Sequence, residues 1–167
     1  NMSPETLVKG DDFTASGVEH YLKNSVSDDP IERDLSVAAN GSMYRKDKRG
    51  VFPTIIIGLY DERAEIKKEM LRLKQENENS NSPELKREIN RLENTQQAIK
   101  ILLNSLYGAL GNQYFRYFEM LIAEGITLSG QLSIKWAEQA MNNAMNNILK
   151  SDDEDYVIAM VTDSLYV

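Results

Sequence analysis

Residues 1–53 place Gly, Ser, Asn and Asp at short intervals and sustain no period of 3.6, which predicts irregular structure with short elements. Asn40-Gly41 and Arg49-Gly50 are turn signals on either side of a stretch where Met43 and Tyr44 suit a short hairpin strand. Pro53 then opens a helix at a position where its missing N–H costs nothing. From residue 54 to about 79, Ile56, Leu59, Arg63, Ile66, Met70 and Leu73 step by three and four and share one stripe. The polar run 76–82 breaks this helix, and Ser82-Pro83 starts another with an N-cap residue and Pro at the first helical position. Leu85, Ile89, Leu92, Ile99 and Leu102 or Leu103 form the second stripe. Two long helices joined by a short polar tip predict an antiparallel helical hairpin.

Beyond residue 103 the glycines at 108 and 111 are expected to end the second helix and to let another chain approach the backbone. A third helix is predicted over 119–149, with Leu121, Leu128, Leu132, Trp136, Ala140 and Met145 on its buried side. The acidic run 152–155 reads as a loop. Residues 156–161 form a β-rich apolar stretch, 162–164 a polar turn, and 165–167 resume a strand. The sequence stops inside that strand, as expected of a piece cut from a longer protein. The fold class is α+β, mainly α: a long antiparallel helical hairpin plus part of an antiparallel sheet. No internal repeat is present, and three segments are expected, 1–53, 54–103 and 104–167.

Composition narrows the chemistry. The 167 residues are 41% hydrophobic and 27% charged, with a mean hydropathy of -0.47. That balance suits a soluble, intracellular domain or part of one, with no membrane span and no signal peptide. There is no Cys, and His20 is the single His. A Cys nucleophile, a disulfide framework, a Cys/His zinc site and a clustered-His centre are therefore excluded. A metal held here must sit on carboxylates, which favours a hard cation such as Mg²⁺.

The net charge of -7 alone argues against phosphate contacts, but it is unevenly spread. Residues 1–53 carry 7 basic and 9 acidic groups, 54–103 carry 9 and 9, and 104–167 carry 3 and 8. Arg63 and Lys67 are four apart and share a helical face, while Lys100 lies near the far end of the second helix. In an antiparallel hairpin all three converge near its base, the arrangement a triphosphate needs. Periodicity equally allows a solvated face of Glu/Lys pairs. His20 reads as a surface residue, Trp136 and the methionines as packing, and residues 45–49 as a solvated turn or a DNA-backbone contact.

The order of the motifs separates these readings. Lys100-Ile101-Leu102-Leu103-Asn104-Ser105-Leu106-Tyr107-Gly108 resembles the fingers motif K-x-x-x-N-S-x-Y-G of the family B DNA polymerases. Val161-Thr162-Asp163-Ser164 resembles their palm turn Y-G-D-T-D-S. Asn1-Met2-Ser3-Pro4-Glu5-Thr6 is similar to the segment after the first palm motif. Asn40-Gly41-Ser42-Met43-Tyr44 with Gly50-Val51-Phe52-Pro53 is similar to the run leading into the fingers. Tyr107 to Asn112, followed by Phe115-Arg116-Tyr117, is especially like the replicative polymerases of tailed bacteriophages. The resemblance covers nearly the whole chain.

The resemblance implies a palm-derived connecting segment over 1–53, a fingers hairpin over 54–103, and a palm segment over 104–167. It makes Arg63, Lys67 and Lys100 the holders of the incoming nucleotide's phosphates, with Lys100 also catalytic, and Asn104 a lining residue. Tyr107 and Gly108 would contact DNA beside the nascent base pair. Asp163 would be the catalytic carboxylate on a two-metal Mg²⁺ site that lies partly outside this chain. The implied partners are primer-template DNA, deoxynucleoside triphosphates and, through missing parts, a sliding clamp, in the cytoplasm of an infected host cell. Three departures stand out: the first palm motif is absent, Val161 replaces the first Asp of D-T-D, and Ala159-Met160 replaces the preceding Y-G. The fragment alone is therefore expected to be inactive. The rival reading is a non-catalytic, acidic helical hairpin serving as a protein interaction module.

Overall fold

The computed structural model describes residues 1–8, 17–24, 28–161 and 164–167. In chain order its elements are β1 (Leu7–Val8), α1 (Val18–Lys23), α2 (Asp28–Glu32), β2 (Leu35–Val37), β3 (Met43–Arg45), α3 (Val51–Ser80), α4 (Pro83–Leu110), α5 (Met120–Leu149), β4 (Ala159–Val161) and β5 (Ser164–Tyr166). The chain is mainly helical with small antiparallel sheets. It divides into two compact units, residues 49–119 and residues 1–48 with 120–167.

The 49–119 unit is built on the helical hairpin. Gly50 is the extended N-cap of α3, and the Thr54 N–H donates to the Gly50 carbonyl at 3.1 Å. Pro53 is thus the third helical residue rather than the first; its missing N–H still falls among the groups without an intrahelical acceptor. The polar run does not break α3 at residue 76. The helix continues to Ser80 and stops at Asn81, whose left-handed φ of 48° turns the chain while its N–H caps the Asn77 carbonyl. Ser82 then caps α4, its hydroxyl accepting from the N–H groups of Glu84 and Leu85, with Pro83 at the first position.

A two-residue link between helices that stay in contact requires them to run antiparallel. Met70, Leu73, Ile89 and Leu92 form the buried centre, with Ile66 and Leu85 packed against it. Gly108 does not end α4. It lies inside the helix, which runs to Leu110 with Gly111 as its C-cap. A helix interior tolerates glycine at a cost of about 1 kcal/mol when tertiary packing holds the turns around it. Beyond the cap, Phe52 and Phe115 each meet the Tyr117 ring edge-on, at centroid distances of 5.8 Å.

The other unit joins a three-stranded antiparallel sheet of order β1-β3-β2 to α5. Tyr44 of β3 and Ile122 of α5 are fully buried, beside Ser3, Thr6 and Ser42. Asn40 donates to the Leu121 carbonyl at 2.9 Å, and Ser129 Oγ accepts from the Ala39 N–H at 3.1 Å. These contacts centre the buried face of the first turns of α5 on Ile122, Ala123 and Gly125, beside the predicted stripe. Of the expected stripe Leu132 is buried, Leu121, Leu128 and Met145 are half-buried, and Trp136 (50%) and Ala140 are exposed, while Ile122, Ala123 and Gly125 are the other buried positions. The small Gly125 permits the approach: a Cβ there would meet Asn40 Oδ1 at 3.1 Å and Ala38 Cβ at 3.3 Å. His20 is exposed on α1, edge-on to Tyr21.

After α5, Asn146 and Asn142, one turn apart, fasten the acidic loop. Asn146 Oδ1 accepts from the Glu154 N–H at 3.0 Å, and Asn142 Oδ1 accepts from the Tyr156 N–H at 2.9 Å. β4 and β5 follow as an antiparallel pair in which Val161 is opposite Ser164.

Candidate functional site

Buried and half-buried positions of the hairpin step alternately by four and three. They are Leu59, Arg63, Ile66, Met70 and Leu73 on α3, and Leu85, Ile89, Leu92, Gln96, Ile99 and Leu103 on α4. This is the seam of an antiparallel coiled coil. The residue after each three-step position falls on one flank of that seam. Those residues are Tyr60, Lys67 and Lys74 on α3, and Lys86, Glu93, Lys100 and Tyr107 on α4.

Two contacts set the register of this flank. Lys74 Nζ lies 3.6 Å from Glu93 Oε2, and Lys86 Nζ donates to Asn81 Oδ1. One heptad from the Lys74–Glu93 contact, away from the tip, the same register puts Lys67 opposite Lys100. One heptad further it puts Tyr60 opposite Tyr107. The other flank carries Glu62, Glu69, Glu76 and Glu88, of which Glu69 and Glu76 are paired with Arg72 and Glu88 with Arg91. Glu69 and Glu88 are close enough for the Glu69 charge to act on the Glu88 carboxyl.

Arg63 lies in the seam, where its Nε donates to Gln96 Oε1 at 3.2 Å. Gln96, 5% exposed, turns its amide N–H₂ to Glu93 Oε1 at 2.8 Å. The guanidinium is thereby oriented through a chain Arg63–Gln96–Glu93 that ends at Lys74. Its position is one turn, about 6 Å along the axis, from Lys67. Neither Lys67 nor Lys100 has an ion-pair partner among the described residues, and both are exposed.

Among the expected site residues, Arg63, Lys67 and Lys100 occupy one stretch of the hairpin. Asn104, exposed one turn beyond Lys100, and Tyr107, seven residues from it, lie on the same side of α4. Gly108 follows Asn104 by one turn and has open space around it. Gln96 escaped the reading of the sequence, although its place between Leu92 and Ile99 in the four-and-three rhythm marks it as buried. Tyr60 was missed as well; only the register reveals its relation to Tyr107.

Asp163 lies outside the described residues. Val161, half-exposed in β4, offers no donor atom, and no group of three or more His, Asp or Glu side chains among the described residues is placed to hold a metal ion. No described helix is long and apolar enough to cross a membrane.

Comparison with known proteins places this geometry in context. The family model described as DNA polymerase family B matches residues 1–167. The chain is 32% identical, over a 208-residue alignment, to the "DNA-directed DNA polymerase" of Escherichia phage RB69, covering 100% of this chain and 23% of that protein. The corresponding protein of Enterobacteria phage T4 is 30% identical with the same coverage. The "DNA polymerase beta" of one African swine fever virus isolate is 32% identical over a 180-residue alignment, covering 99% of this chain and 14% of that protein. Among solved structures, the family B DNA polymerase of the archaeon Pyrobaculum calidifontis shares the fold, with a TM-score of 0.55 and 23% identity over 99% of this chain and 17% of that one. The chain thus spans less than a quarter of these relatives' length. Polymerases as a class transfer phosphoryl groups through a two-metal site. With the family model matched from the first residue to the last, the chain belongs to DNA polymerase family B.

Proposed function

We propose that this chain carries the fingers and part of the palm of a DNA-directed DNA polymerase. The hairpin of α3 and α4 acts as the fingers, and the segments before and after it belong to the palm. The observation that supports this reading best is the placement of Lys67 opposite Lys100 on one flank, with Arg63 oriented beside them by Gln96. Like charges facing each other cost stability, and an anion between them reverses the sign of that interaction.

In this reading the three cations hold the triphosphate of an incoming deoxynucleotide. Asn104 lines the nucleotide site, and Tyr107 with Gly108 meets the nascent base pair. The primer 3′-hydroxyl gives its proton to solvent as its oxygen bonds to the α-phosphorus, the bond from that phosphorus to the oxygen bridging to the β-phosphate breaks, and pyrophosphate leaves with the negative charge that Lys100, Lys67 and Arg63 neutralise. Asp163 is the carboxylate this chain offers to Mg²⁺, and Val161 supplies none. The protein's substrates are primer-template DNA and deoxynucleoside triphosphates. A sliding clamp engages segments outside this chain, and the work is done in the cytoplasm of an infected host cell.

The test is equilibrium binding of a deoxynucleoside triphosphate to the full-length protein on a primer-template. Lys67→Glu should weaken it by more than tenfold. Unchanged binding would refute the assignment.

A further inference from the structure

Tyr60 belongs to the flank that carries Lys67 and Lys100, yet the triphosphate gives it nothing to do. It is 61% exposed on α3, three residues from Arg63 and seven from Lys67, and the register sets it opposite Tyr107. The two helices still lie side by side at this level, because Ile56 and Leu59 of α3 line one apolar pocket of about 240 Å³ together with Leu102, Leu103 and Leu106 of α4.

Charge decides which way a nucleotide extends from the two lysines. Toward the tip, the next level is closed by the Lys74–Glu93 ion pair, whose carboxylate repels a phosphate. Toward the base of the hairpin, Arg63 lies one turn from Lys67, and no Asp or Glu occurs between residues 93 and 119. Asp61, the acid next to Tyr60, is displaced by more than a quarter-turn onto the outer face of α3, away from the seam. A triphosphate that starts at Lys67 and Lys100 therefore runs toward Arg63. Its nucleoside arrives at the level of Asn104, Tyr107 and Tyr60, about 10 Å from the lysines along the helix axes.

We propose that the ring of Tyr60 packs against the nucleoside of the incoming nucleotide and fixes it relative to the triphosphate. Each helix then supplies three residues of this flank to the nucleotide: Lys67, Arg63 and Tyr60 from α3, and Lys100, Asn104 and Tyr107 from α4. An aromatic ring suits the nucleoside end, because its flat apolar face stacks on a base or a sugar whatever the base's hydrogen-bonding pattern. Fixing it costs little conformational entropy, since the side chain has few torsions to lose. This inference rests on the polymerase reading, in which the ligand between the two lysines is a deoxynucleoside triphosphate.

The experiment uses the full-length protein on a primer-template whose primer lacks its 3′-hydroxyl, with Tyr60→Ala and Tyr60→Phe. Two ligands are titrated: the templated deoxynucleoside triphosphate, and inorganic tripolyphosphate, which carries the phosphates without the nucleoside. Tyr60→Ala should weaken the nucleotide about 5- to 150-fold, the range of one lost ring–base contact, while tripolyphosphate stays within about twofold. Tyr60→Phe should bind both ligands as the unaltered protein does. Unchanged nucleotide affinity in Tyr60→Ala would overturn the contact. Equal weakening of both ligands would overturn the nucleoside assignment, and a Phe variant as weak as the Ala variant would overturn the role of the ring. Repeating Tyr60→Ala in a Tyr107→Ala background separates direct from indirect action: the loss should persist, and its disappearance would show that Tyr60 acts only through Tyr107. The triphosphate reading fails separately, through a Lys100→Ala variant that binds both ligands normally.

Discussion

Lys67 of α3 and Lys100 of α4 occupy the same level of the hairpin on the same flank, one heptad from the Lys74–Glu93 ion pair in each helix. Two lysines held opposite each other with no acid between them define the place where this unit favours an anion.

Gln96 is the part of this arrangement that can be altered without touching a cation. Gln96→Leu fills the same buried volume but leaves the Arg63 guanidinium without its acceptor. The hairpin should keep its thermal stability while KM for the incoming nucleotide rises about 2- to 12-fold, the equivalent of one hydrogen bond. A melting temperature that falls with KM unchanged would show that Gln96 only packs.

Stability of the hairpin should depend on its seam and not on its outer face. Leu73→Ala removes a buried side chain and should cost about 2–5 kcal/mol. Leu71→Ala, two residues away but more than half exposed, should change stability by less than about 0.5 kcal/mol. Denaturant unfolding of both variants measures the difference.

Carboxyls on both flanks of the hairpin set a pH dependence. Side-chain hydrogen bonds from Arg72, Arg91 and Gln97 hold the carboxyls of Glu69, Glu88 and Glu93 below the ordinary 4.5. A carboxyl lowered by folding adds stability above its unfolded pKa and loses it as pH falls through the folded one. Helix content followed by circular dichroism should therefore be flat above pH 4.5 and decline below it. Because these carboxyls are exposed, the decline should be shallow and should weaken further in high salt.

Two glycines of α5 should respond with opposite signs. Gly130 has open space around it, so Gly130→Ala should stabilise by about 0.5–1 kcal/mol through the helix propensity gained. Gly125→Ala pushes a methyl group against Asn40, which is fixed by its bonds to Leu121 and Ser42 and cannot yield. That variant should lose about 1–3 kcal/mol. Thermal melts of the pair decide the matter.

The same contrast explains what the sequence discloses. The hairpin is legible because each stripe is repeated over many turns and because Ser82-Pro83 marks a start that needs no tertiary context. The α5 stripe is read only in part: Leu132 is buried as expected, but Asn40, Ala38 and Tyr44, some eighty residues earlier, bury Ile122, Ala123 and Gly125 beside it, and Gly125 admits them. Gly108 looks like a helix end only while the packing of α4 is unknown. At the candidate site the residue types are visible in the K-x-x-x-N-S-x-Y-G run. The pairing of Lys67 with Lys100, and the orientation of Arg63 by Gln96, follow from a register that no single helix contains.

The most direct measurement is steady-state kinetics of nucleotide incorporation by the full-length protein with Lys100→Ala, on DNA whose affinity is measured alongside. Loss of one charge-assisted contact, about 1.5–3 kcal/mol, should lower kcat/KM for the incoming nucleotide about 10- to 150-fold while DNA affinity stays within about twofold. A kcat/KM equal to that of the unaltered protein would contradict the placement of the triphosphate on this flank.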